Sequence, residues 1–350
     1  MFNLGEFSMK KTLVALAALA SMSAFAQSSV TLYGRVDAGL YTNKTITAGS
    51  GTANPTRISQ TGIDNGSNVG LTGSRWGLRG TEDLGGGLKA GFKLENRFNI
   101  DNGAFTQAGP LLFGGEAFVN LSGGFGTVKV GRIFTAFDDL RAIAVSKNNF
   151  DAAWTPVGDS YGAGLGNYQG RGDNAIKFES ANYGGVSGAL MYAFGENKTA
   201  AQGAGSQTSA HIKYANGPLA VGFGFQNEKA NSLAVTTKHN AVSAAYDLGF
   251  LALSGGFNNT KNGPTKDTDY SIGVTLPLGA AAISAGFATS KSKAGGATVA
   301  KGSGFGISAT YSMSKRTTLY TGIKSTNNKN AAGFKTLDND LFSLGVRHDF

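Results

Sequence analysis

The last eleven residues alternate. Phe342, Leu344, Val346 and Phe350 share one parity, with Ser343, Gly345, Arg347 and Asp349 between them. A strand sends successive side chains to opposite faces, so the segment has one apolar and one polar face, and the apolar one reaches the terminal residue. In water such an edge invites aggregation. In a barrel that closes within lipid, one face meets hydrocarbon, the other meets water, and both edges are paired. The same pattern recurs upstream. Val30, Leu32 and Val36 oppose Thr31, Tyr33, Arg35 and Asp37; Trp76 and Leu78 oppose Arg75 and Arg79. Leu88, Ala90, Phe92 and Leu94 oppose Lys89, Lys93, Glu95 and Arg97.

The rhythm persists to the end of the chain. Strands are predicted over 117–121 and 127–131, then as hairpins at 175–180/186–194, 208–214/219–226, 241–247/251–257, 270–276/281–287 and 305–311/317–323, before the closing strand. The expected fold is all-β, a transmembrane antiparallel β-barrel of about 16 strands, with short turns alternating with long polar loops. An even count puts both termini on the periplasmic side. Residues 42–71, rich in Asn, Thr, Ser and Gly, read as an exposed loop. Residues 134–172 form the longest interruption. A secreted soluble sandwich or β-helix would need a second set of apolar faces, which this pattern does not supply.

Composition agrees. Charged residues are only 15% of the chain, yet mean hydropathy is near zero, as expected when half of each strand faces water. There are 53 Gly among 350 residues, about twice the usual share of about 7%. The chain has no Cys, which excludes thiol catalysis, disulfides and Cys-ligated metals. Residues 1–26 read as a signal peptide with a short upstream extension: Met9-Lys10-Lys11 is basic, 12–20 is an apolar run too short to span a bilayer, and Ala24-Phe25-Ala26 fits an A-x-A cleavage site. The barrel domain is then 27–350. Losing Glu6, Lys10 and Lys11 takes the formal charge from +9 to +8.

With this order of motifs the chain resembles the Gram-negative trimeric general porins, in the branch typical of beta-proteobacteria. Ser29-Val30-Thr31-Leu32-Tyr33-Gly34 looks like that family's opening strand, and Ser74-Arg75-Trp76-Gly77-Leu78-Arg79-Gly80 before Glu82-Asp83-Leu84-Gly85 is similar to its second strand and first turn. Ala117-Phe118-Val119-Asn120-Leu121 with Gly124-Phe125-Gly126, the stretch around Ser314-Lys315-Arg316-Thr317, and the terminal Phe350 match in order. One departure is Gly115-Glu116, where the family's pattern leads one to expect a basic residue. The resemblance implies an outer-membrane homotrimer without a cofactor, passing small hydrophilic solutes and inorganic or organic anions. It also implies that the third long loop folds into the lumen.

On that basis 134–172 is the constriction loop. Its acids are Asp138, Asp139, Asp151 and Asp159, and its apolar residues Phe134, Phe137, Leu140, Ile143, Phe150 and Trp154 exceed what a solvated loop needs. The facing basic wall is expected from Arg35, Arg75, Arg79, Lys93 and Arg97 by lumen parity, with Arg171 sharing the parity of Lys177 and Glu179. Strict alternation sends Arg132 to the lipid face with Val128 and Val130; a bulge at Gly131 would turn it inward. Clustered guanidinium groups in a low-dielectric neck enrich anions, and Asp138 and Asp139 would oppose them across it. Three alternatives compete: a barrel with a blocked lumen serving as an adhesin or structural protein, an outer-membrane hydrolase, and a nucleic-acid binder. His211, His239 and His348 form no recognisable catalytic constellation, and His211 reads as a lumen residue. The basic residues are spread over strands, and the export signal argues against nucleic acid as partner.

Overall fold

A computed structural model describes residues 29–106, 111–145 and 152–350. The expected signal peptide, and Phe150 and Asp151 of the long loop, lie outside the described residues. Seventeen strand segments follow one another. The first six are β1 (Ser29–Ala48), β2 (Thr56–Asn65), β3 (Ser74–Gly85), β4 (Leu88–Phe98), β5 (Glu116–Gly123) and β6 (Gly126–Phe134). After the long loop come β7 (Arg171–Ser180), β8 (Val186–Phe194), β9 (Ala204–Asn216), β10 (Leu219–Asn231), β11 (Thr237–Asp247) and β12 (Ala252–Asn262). The remainder are β13 (Thr265–Leu278), β14 (Ala281–Ala294), β15 (Ala297–Ser312), β16 (Thr317–Asn330) and β17 (Lys335–Asp349). Neighbours pair antiparallel, and β17 pairs with β1 from Arg35↔Asp349 to Thr45↔Asn339, so the sheet is a closed ring.

The ring has 16 staves, because β2 and β3 share one place in it. β2 lies beside the second half of β1 and β3 beside the first, with Ala38 opposite Asn65 and Arg35 opposite Arg75. Residues 66–73 leave the wall between them, beginning with the short helix α1 (Gly66–Val69). Pairing β17 with β1 leaves neither terminal strand with a free edge in the wall, a requirement in a medium with no hydrogen-bonding solvent.

Side chains alternate as the pattern predicts. On β17, Phe342, Leu344 and Val346 are exposed, whereas Leu341 and Ser343 are buried. On β14, Ile283 and Phe287 are exposed and Ser284 and Ala288 buried. The outer face is therefore apolar, and the buried polar residues belong to the inner face. Turns at one end are tight. Between β3 and β4, Gly85, Gly86 and Gly87 all take φ between 61° and 82°, a region that penalises any Cβ.

Two expectations are corrected. Residues 42–71 are not an exposed loop. β1 runs on to Ala48 and β2 returns beside it, while Val69 and Leu71 are buried. Polarity misled here because both faces of an extramembrane hairpin meet water, so alternation is lost while pairing persists. For the same reason β13 to β17 extend well past the apolar segments, to tips such as Gly295-Gly296.

The outer face sets a stability prediction. Phe287→Arg puts a charge in the apolar belt and should lower unfolding free energy in lipid vesicles by about 2–4 kcal/mol. Urea titration of the reconstituted barrel would measure it.

Candidate pore constriction

Three arginines stand in one cross-strand row on the first staves. Arg35 lies opposite Arg75, and Arg75 opposite Arg97. The next row toward the tight turn places Arg79 opposite Lys93, and between the two rows run Tyr33, Gly77, Glu95 and Glu116. Like charges directly opposite one another on a sheet are destabilising. The buried Glu95 offsets this: its carboxylate accepts from Arg97 Nε at 2.9 Å and lies 3.7 Å from Arg75 Nη1 and 3.5 Å from Lys93 Nζ. The Tyr33 hydroxyl donates to Glu95 at 3.1 Å, and its ring carries Arg79 at 5.2 Å and Lys93 at 5.9 Å. Gly77 makes this possible, since a Cβ there would come within 2.7 Å of the Tyr33 hydroxyl. Glu116, the departure from the resembled pattern, pairs with Lys93. Arg35 pairs with Asp349 at 3.0 Å.

Arg171 and Arg132 reach this group by another route. The β6–β7 register slips between Gly131 and Ile133, where Gly131 takes φ 140° and Asn174 takes φ 49°. A Cβ on Gly131 would sit 2.2 Å from the Ala117 carbonyl oxygen. Across the slip Ala175 and Gly172, not Arg171, are the buried partners, so the parity argument for Arg171 fails. Its guanidinium instead lies 3.9 Å from the Phe134 ring, which Arg97 also approaches at 5.6 Å, and donates to the Gly115 carbonyl at 2.7 Å. Arg132 donates to the Gly114 carbonyl at 2.9 Å and pairs with Asp173.

The segment between β6 and β7 is tied to the buried faces of β9 to β17. Thr135 caps α2 (Ala136–Arg141), accepting from the Asp138 amide through its hydroxyl. A 3-10 turn (Ala142–Ala144) continues it. Phe137, Leu140 and Ile143 pack on Ala241 and Ala245. Gly222 and Gly224 leave the room that Leu140 occupies. Farther on, Trp154 is fully buried with Tyr320, Leu341, Val69 and Leu71, and its indole donates to Ser343 at 3.0 Å. Gly306 and Gly322 face it, and a Cβ on Gly306 would lie 1.9 Å from the Trp154 carbonyl oxygen. Residues 66–73 meet the same tip: Ala153 N–H donates to Gly70 O at 2.8 Å. They are held from beneath by Asp37, whose carboxylate accepts from Thr72 N–H at 2.9 Å and the Tyr320 hydroxyl at 2.6 Å. After α3 (Val157–Ser160), Asp267 accepts from Gly164 and Leu165 amides at 3.1 and 2.8 Å, and Asp269 from Gly162 at 3.3 Å.

The loop acids are engaged as well. Asp138 accepts from the Tyr168 hydroxyl at 2.8 Å; burial raises its pKa, and that hydrogen bond offsets only part of the rise. Asp139 pairs with the buried Lys177, which also meets Glu179 at 3.0 Å. Asp159 lies 2.7 Å from Lys324 and accepts from Thr326 and Asn339 at 2.9 Å each. His211 is buried against the Ala136 carbonyl, 2.6 Å from its Nδ1. The sequence reading gave Lys177 lumen parity but no loop partner, and it missed Lys324 and Tyr320. Only lumen parity marked them, and parity alone does not say which inward residue meets the loop.

The model for Gram-negative porins matches residues 12–331. The chain belongs to that family. An outer membrane porin protein of Delftia acidovorans is 33% identical over 97% of this chain and 95% of its own length. One from Bordetella pertussis is 29% identical over 98% of this chain and all of its own. Among solved structures, an anion-selective porin from Comamonas acidovorans superposes with TM-score 0.73 at 28% identity, covering 93% of this chain and 100% of that one. Family membership and the apolar outer face put this barrel in the outer membrane.

Trp154 concentrates the loop's anchorage. Trp154→Ala should cost about 3–5 kcal/mol locally and leave the barrel closed. Limited proteolysis of folded protein should then cut within 135–170, where wild type resists.

Proposed function

We propose that this porin is a passive diffusion channel for small hydrophilic solutes, with a preference for anions. In this reading the segment 135–170 lies within the lumen and narrows it. The contacts of Leu140, Trp154, Asp159 and Gly164 with inner-face residues of β10 to β17 support that position. The open path then runs between the loop and the wall carrying Arg35, Arg75 and Arg97, with Arg79, Lys93, Arg132 and Arg171 around it.

The observation that carries the anion preference is the unequal use of carboxylates. Of the five cations on β1, β3 and β4, Arg75, Lys93 and Arg97 share Glu95 and Glu116, and Arg35 pairs with Asp349. Asp138, Asp139 and Asp159 spend their charge on anchoring bonds. The sequence suggested that Asp138 and Asp139 oppose the basic wall across the neck; we assign them chiefly to holding the loop. The residual field at the neck is positive, and Arg keeps its charge at any working pH. Weak, multiple contacts suit conduction rather than retention.

The family and its relatives point to a channel rather than a catalyst, and we assign no catalytic residue. We further propose cleavage after Ala26, a mature chain from Gln27, and assembly as a homotrimer, in line with the resemblance. N-terminal sequencing and the mass of the detergent-solubilised assembly test these.

Selectivity tests the main proposal. In a KCl gradient the wild-type reversal potential should show anion preference, larger at 0.1 M than at 1 M salt, because the Debye length shrinks from about 10 Å to about 3 Å. Combined Arg35→Gln, Arg75→Gln and Arg97→Gln should move it toward cations. Unchanged selectivity in a conducting triple variant would remove this row from the neck.

A further inference from the structure

β10 and β11 stand across the ring from β1 and β3. There Gln226 lies directly opposite His239, and His239 opposite Thr260 of β12. Glu228 is two residues beyond Gln226 on the same face of β10. His239 is 2% exposed and Gln226 is fully buried. His239 Nε2 lies 3.6 Å from Glu228 Oε1 and has no hydrogen-bond partner among the described residues. The side-chain oxygen of the opposed Gln226 is also buried without one.

The spacing of the pair is informative. A direct hydrogen bond would bring the two atoms to about 2.7–3.2 Å, and a bridging water would hold them about 4.5 Å apart. Two ligands of one tetrahedral zinc-type ion, with bonds near 2.0–2.2 Å, stand about 3.4 Å apart. The surroundings fix the pair in place. His239 Nδ1 lies 2.9 Å from the Thr260 hydroxyl, and the rings of Phe137 and Tyr168 flank the imidazole at 6.0 and 6.2 Å. Glu228 Oε1 accepts from the Gln169 amide of the loop and from Gln226 Nε2, both at 2.7 Å. With Nδ1–H donating to Thr260, Nε2 turns a lone pair toward a carboxylate, and a cation between them satisfies both.

The pair can be reached from water. Glu228 lines a cavity of about 610 Å³ at the end of the barrel opposite the tight turns. Asp173, Glu196 and Glu228 line it against Arg171 and Lys229, so a cation can enter.

We propose that Glu228 and His239, with the Gln226 side-chain oxygen as third protein donor, bind a zinc-class divalent cation. Water from the cavity takes the remaining position. An imidazole nitrogen beside oxygen donors suits Zn²⁺ and its neighbours, whereas Ca²⁺ and Mg²⁺ take oxygen ligands alone. The Thr260 contact orients the ring by its other nitrogen. Among the described residues no three His, Asp or Glu converge, so the amide oxygen completes the set and the ion is exchangeable. The site lies across the ring from the arginine wall and does not depend on which ions the pore prefers.

The test uses untagged full-length protein, folded in neutral detergent and stripped with a chelator. Calorimetry with Zn²⁺ should show one saturable site per chain, undisturbed by a large excess of Ca²⁺ or Mg²⁺. His239→Gln and Glu228→Gln should each weaken binding at least tenfold. His348→Gln, beside Thr317 at the tight-turn end, should leave it unchanged. Absence of saturable binding overturns the proposal. So does binding that survives His239→Gln or Glu228→Gln, that His348→Gln removes, or that Ca²⁺ displaces as readily as Zn²⁺ fills it. If a variant does not fold, anomalous scattering at the zinc edge from wild-type crystals soaked with Zn²⁺ decides. A peak between His239 and Glu228 supports the site, and a peak elsewhere or none overturns it.

Discussion

The pairing of the last strand with the first is the constraint on which the structure rests. β17 joins β1 along eleven residue pairs, and the seam ends with Gly34 and Phe350 exchanging backbone bonds at 3.0 and 2.9 Å. A sheet of this composition is tenable only when closed. Its outer side chains have no protein to cover them, and an open edge in hydrocarbon would leave a row of unpaired amides and carbonyls. Closure also creates the inner face, and with it a confined space where charges act over short distances through little solvent. The terminal aromatic belongs to that seam, which is why the apolar pattern runs to the final residue.

Within the ring, acids and bases are distributed by task. Asp37, Asp267 and Asp269 are fully buried wall residues whose carboxylates receive hydrogen bonds from inserted backbone or from Tyr320. Asp139 and Asp159 do the reverse, standing on the loop and reaching wall lysines. The loop is thus fastened by its own negative charge and that of the wall behind it. The arginine rows on the first staves have Glu95, Glu116 and Asp349 close by, fewer carboxylates than cations. In the proposed reading, anchorage and selectivity are two outcomes of one partition. The short excursion at 66–73 belongs to the same design: it meets the Trp154 tip, and both segments bury apolar residues there.

Much of the barrel was legible because the rule that makes it is local. The hairpins from 175 onward were readable from alternation, and so were the arginines of β1, β3 and β4, whose faces follow from a period of two. Arg171 was not, since a slip at Asp173-Asn174 resets the period without any mark in the polarity pattern. β2 was not, because an extramembrane hairpin has two wet faces. Val69 and Leu71 gave the single hint, two apolar residues flanked by Gly66, Gly70 and Gly73 inside a polar stretch.

The sequence by itself determined the class of the protein: a closed antiparallel barrel in lipid, with a basic first wall and one loop too apolar to be solvated. Each of these depends on neighbours along the chain, and neighbours are what a sequence records. Only the tertiary structure decided which carboxylates are spent on anchoring and which inward residues receive the loop. Those facts depend on strand register and ring closure, which bring together residues as far apart as Asp37 and Tyr320, and no local pattern encodes a distance across a closed sheet.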